Sequence, residues 1–453
     1  MSDNAIAGFK GGVFSPDDAG YDEARSIFNA MIDKRPAYIA QCADVEDVIS
    51  ALAFARERGL PVSVRSGGHS VAGNGVVEGG VVVDMRILNA VTVDPGARTA
   101  IVAGGATWSH LDRAAEPHGL ATTGGRVSST GVAGLTLGGG SGWFERKFGL
   151  ACDNLISVEL VTADGRRVTA SEDENPELFW ALHGGGGNFG IATSLTFRLH
   201  PLPVATLGLL LFSPERGPDV VRRYRDFAEQ APDEVGGGAL YLTGPPEEFV
   251  PVHLQGRLTL AIGAMYAGGE SEAREVAAPL LELSPDGEMI AEMPYAELQC
   301  ALDDPPGYRN YWSAEHLETL PDEAVDLFCA RAADMVVPSP SQHITFPWGG
   351  AVARNAADWP LASRHARWTV HPFGLWDDPA DDERGKAWAR ATCADLKPYA
   401  TGDVYLNFVG DEGEDRVRAG FGDAYERLAA VKAEWDPDNV FRQNHNVAPL
   451  EVA

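Results

Sequence analysis

The chain has 453 residues, 45% of them hydrophobic, and a formal charge of -29 from 65 acidic against 36 basic side chains. At ~100–200 residues per domain this length allows two or three domains with large buried cores. So acidic a chain would repel a phosphate backbone, which argues against nucleic acid as a partner.

The charge fits either a well-solvated surface or a high-salt habitat. Cys42, Cys152, Cys300, Cys329 and Cys393 lie far apart without a C-x-x-C pair, a pattern of reduced thiols that offers no metal site. The opening M-S-D-N-A-I-A-G-F-K lacks the basic region and apolar run of a secretory leader. No stretch of ~18 uncharged apolar residues occurs, so a cytoplasmic chain without a membrane partner is expected.

From Arg35 to about Leu202 helix and strand signals alternate. Asp44 can cap a helix whose Val45, Val48 and Leu52 fall at helical spacing and which Gly59 ends. The strand L-P-V-S-V-R-S runs into the turn G-G-H-S-V-A-G-N-G, which places His69 where chains usually hold phosphate. V-V-V-D-M at 81–85 follows, then A-V-T-V and T-A-I-V-A around the turn D-P-G at 94–96, then a glycine-rich tract. L-I-S-V-E-L-V-T and R-R-V-T-A flank a further turn, A-D-G, at 163–165.

Beyond about Pro203 the pattern becomes a less regular mixture, with strand-like L-T-L-A-I-G-A-M-Y at 258–266 and A-R-W-T-V-H-P-F-G-L-W at 366–376. This reads as a second domain. Val417, Phe421, Tyr425, Leu428, Val431 and Trp435 recur at steps of three or four, which predicts one amphipathic helix closed by D-P-D-N.

G-G-G-N-F-G at 185–190 spells a dinucleotide fingerprint, yet it follows the helix-like N-P-E-L-F-W-A-L-H and precedes the strand I-A-T-S-L-T-F-R-L. That order is the reverse of what a pyrophosphate at a helix N-terminus needs. Neither G-x-x-x-x-G-K-[ST], G-x-S-x-G nor H-E-x-x-H is present. What remains is three glycine-rich stretches, at 67–75, 124–142 and 184–190. Each alone could be a tight turn. Three in one domain favour a large phosphorylated cofactor cradled by backbone N–H groups.

Six motifs carry a resemblance: R-S-G-G-H-S at 65–70, G-V-A-G-L-T-L-G-G-G-S-G-W at 131–143, R-K-F-G-L-A-C-D-N at 146–154, G-N-F-G-I-A-T at 187–193, Y-L-N at 405–407, and R-L-A-A-V-K-A-E-W-D-P-D-N-V-F-R-Q-N-H-N at 427–446. In this order, from about residue 35 to 449, the chain resembles the FAD-linked oxidases of the berberine bridge enzyme type. These belong to the vanillyl alcohol oxidase or PCMH-type flavoproteins, and the chain is most similar to their short bacterial members. The resemblance implies an α+β fold. A two-part PCMH-type FAD-binding domain, residues 1–202 and 401–453, would enclose an inserted substrate domain, 203–400, built on a large antiparallel sheet covered by helices.

It also implies roles. His69 matches the histidine bonded to the flavin 8α-methyl carbon, and Arg65, Ser66, Gly67, Gly68 and Ser70 match the loop around the pyrophosphate. Gly131, Gly134, Asn154, Gly190 and Ile191 fall at cofactor positions of the later motifs. Val127 stands where many relatives form a second bond through cysteine; valine cannot form a thioether, so a single bond through His69 is expected. Thr130 occupies the oxygen-gate position, and its volume, close to valine's, should leave room for O2 and make the enzyme an oxidase that produces H2O2.

Tyr405 matches a base that takes the substrate hydroxyl proton as hydride passes to flavin N5. With an ordinary pKa near ~10 it would need a cation or hydrogen bonds to its phenolate. The alternative is a packed tyrosine whose hydroxyl is tied up. Ser141 replaces a tyrosine that assists the base in some plant members, so that helper is missing or substituted. Asn407, Asn444 and Asn446 would hold flavin or position the strand. Ser141, Trp143 and His371 are weak substrate contacts. One or two of Trp312, Trp348, Trp359, Trp368 and Trp376 would floor a pocket for a ring.

The reading is therefore a covalent-FAD oxidase of alcohols or sugar-like small molecules. Oxidation of a C–N bond in an amine or alkaloid-like substrate is the alternative, and a flavin-binding protein without turnover is the rival from another class.

Overall fold

The computed structural model describes residues 6–355 and 359–450. The first five residues, on which the reading of the leader partly rests, lie outside these. β1 (Gly12–Phe14), β2 (Tyr38–Gln41), β3 (Val62–Arg65) and β4 (Val81–Asp84) form a sheet in the order β1-β2-β4-β3, in which β4 runs parallel to both its neighbours. Parallel neighbours need a crossover. The helix Val45–Glu57 supplies one and is capped by Asp44, whose side chain accepts from the Asp47 amide at 3.1 Å. Its Val48, Ala51, Leu52 and Ala55 share a core with Val81 and Val83. The connection from β3 to β4 is the glycine-rich turn that carries His69, so that turn leaves the carboxyl end of a buried parallel strand.

β5 (Val91–Asp94), β6 (Thr99–Ala103), β7 (Leu120–Ala121), β8 (Leu155–Val161), β9 (Arg167–Ser171), β10 (Ile191–Arg198) and β11 (His200–Pro201) come next. Five of them make an antiparallel sheet, β5-β6-β10-β8-β9, and β7 pairs with β11. The hairpins β5–β6 and β8–β9 turn at the two sites marked by D-P-G and A-D-G.

β12 (Ala205–Phe212), β13 (Val235–Thr243), β14 (Leu258–Tyr266), β15 (Gly287–Met293), β16 (Arg309–Trp312), β17 (Glu315–Leu317), β18 (Gln342–Pro347) and β19 (Trp368–Trp376) build one antiparallel sheet in the order β15-β12-β14-β13-β18-β19-β16, with β17 also on β19. Its two faces separate by the period-2 rule. Leu210, Phe212, Tyr241, Leu260 and Ile262 pack with Val220, Val221, Val325 and Phe328 of the helices Gly217–Ala228 and Asp322–Arg331. The alternate residues Leu209, Leu211, Leu240, Ile344 and Phe346 belong to a core that also holds Val132, Leu137, Tyr405 and Leu428. One face thus meets helices and the other meets the glycine-rich part of the chain.

The C-terminal stretch corrects one expectation. The predicted single helix is two, Glu414–Phe421 and Tyr425–Trp435. Gly422 between them sits at φ 50° and ψ -135°, outside the helical region, so the apolar spacing carries across a corner. The second helix is fixed by Lys432. Its fully buried ammonium donates to Asp436 Oδ2 at 2.6 Å, Asn188 O at 2.7 Å and Phe441 O at 2.9 Å. A buried charge persists only when paired and hydrogen-bonded. Here the pairing ties the C-terminal segment to the third glycine stretch. No helix among the described residues is long and apolar enough to cross a membrane.

Candidate functional site

A cavity of about 330 Å³ lies between the three glycine-rich stretches and one face of the eight-stranded sheet. That size is ordinary for a ligand pocket, ~300–1,000 Å³. Of the residues singled out in the sequence, Arg65, Ser66, Gly67, Gly68, His69, Ser70, Val127, Thr130, Gly131, Gly134, Ser141, Trp143, Gly190, His371, Asn407 and Asn444 border it. Asn154, Ile191, Tyr405 and Asn446 do not.

The glycines divide by what a Cβ would meet. On Gly67 it would fall 2.2 Å from the Gly131 nitrogen, and on Gly131 2.3 Å from the Gly67 nitrogen, so the first two stretches touch backbone to backbone. On Gly134 or Gly187 it would meet nothing within 4 Å, although both border the cavity. These two leave their backbone open to a ligand. Ser66 Oγ and Asn444 Oδ1 are buried without a protein partner at the same wall. Open glycine backbone and unpaired polar atoms are what a pyrophosphate and an isoalloxazine edge require, so the residues present fit FAD.

Three of the residues expected at the cofactor are held by the protein itself. Arg65 is buried, and its guanidinium donates to Asp84 Oδ2 at 2.7 Å and to the carbonyls of Ala24 and Ser26 at 2.5 and 3.2 Å. Its charge holds β3 to β4, while its Nε is buried without a protein partner at the cavity wall. Asn154 staples its own motif: Nδ2 donates to the carbonyls of Phe148 and Leu150, and Oδ1 faces His200 Nε2 at 2.6 Å. Ile191 is core, packed with Val161 and Phe441. Asn446 keeps a buried, unpartnered Oδ1 outside the cavity lining.

His69 stacks on Phe28 with ring centroids 4.1 Å apart. Its Nε2 lies 2.9 Å from Ser129 Oγ and its Nδ1 3.3 Å from Thr130 Oγ1. Burial pushes the imidazole down to about 4, so it is neutral near pH 7 and carries a free lone pair. Val127 faces the cavity, and none of the five cysteines lines it. Cys152 is wholly buried beside Asp153 and Arg364, and burial raises its thiol well above the usual value.

Tyr405 sits directly behind the second glycine stretch. Its phenolic oxygen accepts from Gly140 N at 2.7 Å, Ser141 N at 2.9 Å and Asn407 Nδ2 at 3.0 Å. Three N–H donors converging on one oxygen stabilise a phenolate more than a phenol. Burial acts the other way and is the larger effect, so the phenol titrates above its ordinary value. The G-G-G run makes this approach possible. A Cβ on Gly138 would lie 2.4 Å from Asn407 Oδ1, and one on Gly139 2.9 Å from the Tyr405 ring. Ser141 therefore meets the Tyr405 oxygen through its backbone amide.

Its hydroxyl accepts from Arg126 Nη1 at 3.0 Å. Arg126 had not been singled out, although it stands immediately before Val127 in a glycine-rich loop, which was signal enough. Its guanidinium pairs with buried Glu145 at 3.2 Å and lies 4.2 Å from the Phe346 ring centroid.

His371 donates from Nδ1 to the Ser313 carbonyl at 2.8 Å, which leaves Nε2 unprotonated in a ring that lines the cavity. Burial lowers it to about 4. Of the five tryptophans weighed, Trp312 alone lines the cavity. Trp368 and Trp376 are core, Trp359 stacks on His183 and Trp348 packs edge-on against Tyr405.

The chain is similar to known FAD-linked proteins. Residues 36–171 match the model of an FAD binding domain, and residues 404–448 match the model described as berberine and berberine like. (R)-6-hydroxynicotine oxidase of Paenarthrobacter nicotinovorans is 30% identical over 461 residues, covering 97% of each chain. The crystal structure of 6-hydroxy-D-nicotine oxidase from Arthrobacter nicotinovorans superposes with a TM-score of 0.85 at 28% identity, covering 98% of each chain. Xylooligosaccharide oxidase from Myceliophthora thermophila, solved with xylobiose, gives 0.84 at 23% identity over 98% of each chain, a likeness of fold.

Proposed function

The chain belongs to the FAD-linked oxidoreductases of the berberine bridge enzyme type, and from that membership we propose that it oxidises a hydroxyl-bearing carbon of a small organic molecule. In this proposal Tyr405 is the base and His69 the only covalent tether. The observation that carries it is the convergence of two backbone amides and the Asn407 amide on the Tyr405 oxygen. A merely packed tyrosine needs one partner. Three donors hold the oxygen in place and favour the phenolate, the form that can take the proton of a substrate hydroxyl. FAD, held by these residues, would supply the hydride acceptor, with O2 as the terminal electron acceptor.

The remaining residues orient and hold. The open backbones at Gly134 and Gly187, with Ser66 and Asn444, take the cofactor's polar parts. Neutral His69 offers a nitrogen to the 8α carbon, while Val127 offers none. Thr130 leaves space at the gate, and its hydroxyl is engaged with His69.

Anaerobic mixing of the holoenzyme with a panel of alcohols, sugars and amines tests this. Bleaching of the flavin by members of the hydroxyl set is expected, with colour returning within seconds of admitting air. Bleaching by amines alone would replace the reading with C–N oxidation. Bleaching by none would leave a flavin-binding protein. A reduced flavin that survives for minutes in air would make it a dehydrogenase.

A further inference from the structure

The cavity holds one carboxylate that the proposed chemistry does not use. Asp304, 8% exposed, lies on the substrate-side wall, and its Oδ1 accepts from Gln342 Nε2 at 3.2 Å. Gln342 begins a stripe of β18, Gln342, Ile344 and Phe346, that lines the cavity by strand alternation. Across the sheet Gln342 pairs with Phe373, and Phe373 with Trp312. These two rings stack at 4.3 Å, and both border the cavity. Asp304 is thus a buried carboxylate with one amide donor, in a cavity that two stacked rings also border.

The other end of the stripe meets an ion pair, Arg126 with buried Glu145. Phe346 lies under the Arg126 guanidinium, which donates to Ser141, whose amide in turn donates to Tyr405. Gln342 and Phe346 are four residues apart, ~13 Å along a strand. The cavity therefore has a charge-balanced end, Arg126 with Glu145, near the reacting tyrosine, and the Asp304 carboxylate roughly one aryl-alkyl length away.

We infer that Asp304, held by Gln342, is a specificity residue that takes a cationic nitrogen of the substrate, so that the hydroxyl being oxidised belongs to a molecule with a protonated amine at its far end. This rests on Tyr405 marking the reacting end. A buried carboxylate without a cation is costly, and burial, with Asp303 adding repulsion, raises this one to about 7. An ammonium replaces the proton that the group otherwise retains. A neutral hydroxyl gives a hydrogen bond but no charge. Trp312 and Phe373, which border the same cavity, add apolar wall for the body of such a molecule.

Tryptophan-fluorescence titration of the holoenzyme with its flavin reduced beforehand, under anaerobic conditions, reads this without turnover, because a reduced flavin accepts no hydride. The probes are benzyl alcohols with a para aminomethyl, aminoethyl or aminopropyl arm, each against its hydroxyl-armed counterpart, at about pH 8, where the amine is charged. In the wild type at least one amine should bind ~10-fold or more tightly than its counterpart, the range of a charge-assisted hydrogen bond. In Asp304→Asn, which keeps shape and the Gln342 contact, that preference should vanish with flavin content unchanged. No preference for any amine in the wild type, or a preference that survives Asp304→Asn, overturns the inference. If the Tyr405 assignment alone is wrong, the binding preference persists while Tyr405→Phe keeps its turnover rate.

Discussion

Replacing Tyr405 by Phe should lower kcat per bound flavin by ~10²–10⁴, the usual contribution of a positioned general base, or about 3–5 kcal/mol of barrier. The variant keeps the ring against Trp348 and Phe408, so packing is nearly intact. It also leaves three N–H donors without their acceptor, each costing ~1–3 kcal/mol when buried. Thermal stability should therefore fall, which makes the normalisation to bound flavin necessary. A tyrosine of purely structural importance would lower stability and flavin content and leave the rate per flavin alone. The pH profile separates the roles further. Tyr405 titrates above its ordinary value and must lose its proton to act, so the active fraction grows as pH rises. In the wild type kcat/KM should climb with pH and reach no plateau below ~10. In Tyr405→Phe that slope should disappear. A slope that persists would assign it to the substrate's own ionisation.

Much of this architecture was legible because local signals agreed with the final fold. Asp44 caps its helix, and D-P-G and A-D-G close their hairpins. The glycine stretches were legible as a group and not one by one. Gly67, Gly131, Gly134 and Gly138 look alike as letters. The first pair is forced by mutual backbone approach, Gly134 by an open ligand face and Gly138 by Asn407, a residue 269 positions away in the numbering. Only knowledge of what stands opposite sorts them. Arg65 and Asn154 show that a polar side chain inside a motif can also serve the motif's own fold. Asp304 was invisible because D-D-P-P-G reads as an exposed turn, and its burial is a tertiary effect. The Gly422 corner was hidden because the apolar spacing is maintained on both sides of it.

Replacing His69 by Ala should abolish covalent flavin. Acid-precipitated wild-type protein should remain yellow, whereas the variant should release all its flavin to the supernatant. Neutral imidazole is the nucleophile, and burial pushes its pKa to about 4. The reactive form therefore exists above that value and is lost as pH falls through it, so attachment of FAD to the apoprotein should proceed at neutral pH and fail below about 4. The same variant decides the number of tethers. Val127 stands in place of a second attachment point and no cysteine lines the cavity, so no residual covalent fraction should remain. A wild-type flavin peptide with two protein linkages, or any acid-stable colour in His69→Ala, would refute the single bond. Noncovalent flavin should still bind the variant, because the open backbones at Gly134 and Gly187 are untouched. Its affinity should then follow mass action and its thermal stability should rise with added FAD, a dependence that the tethered wild type lacks.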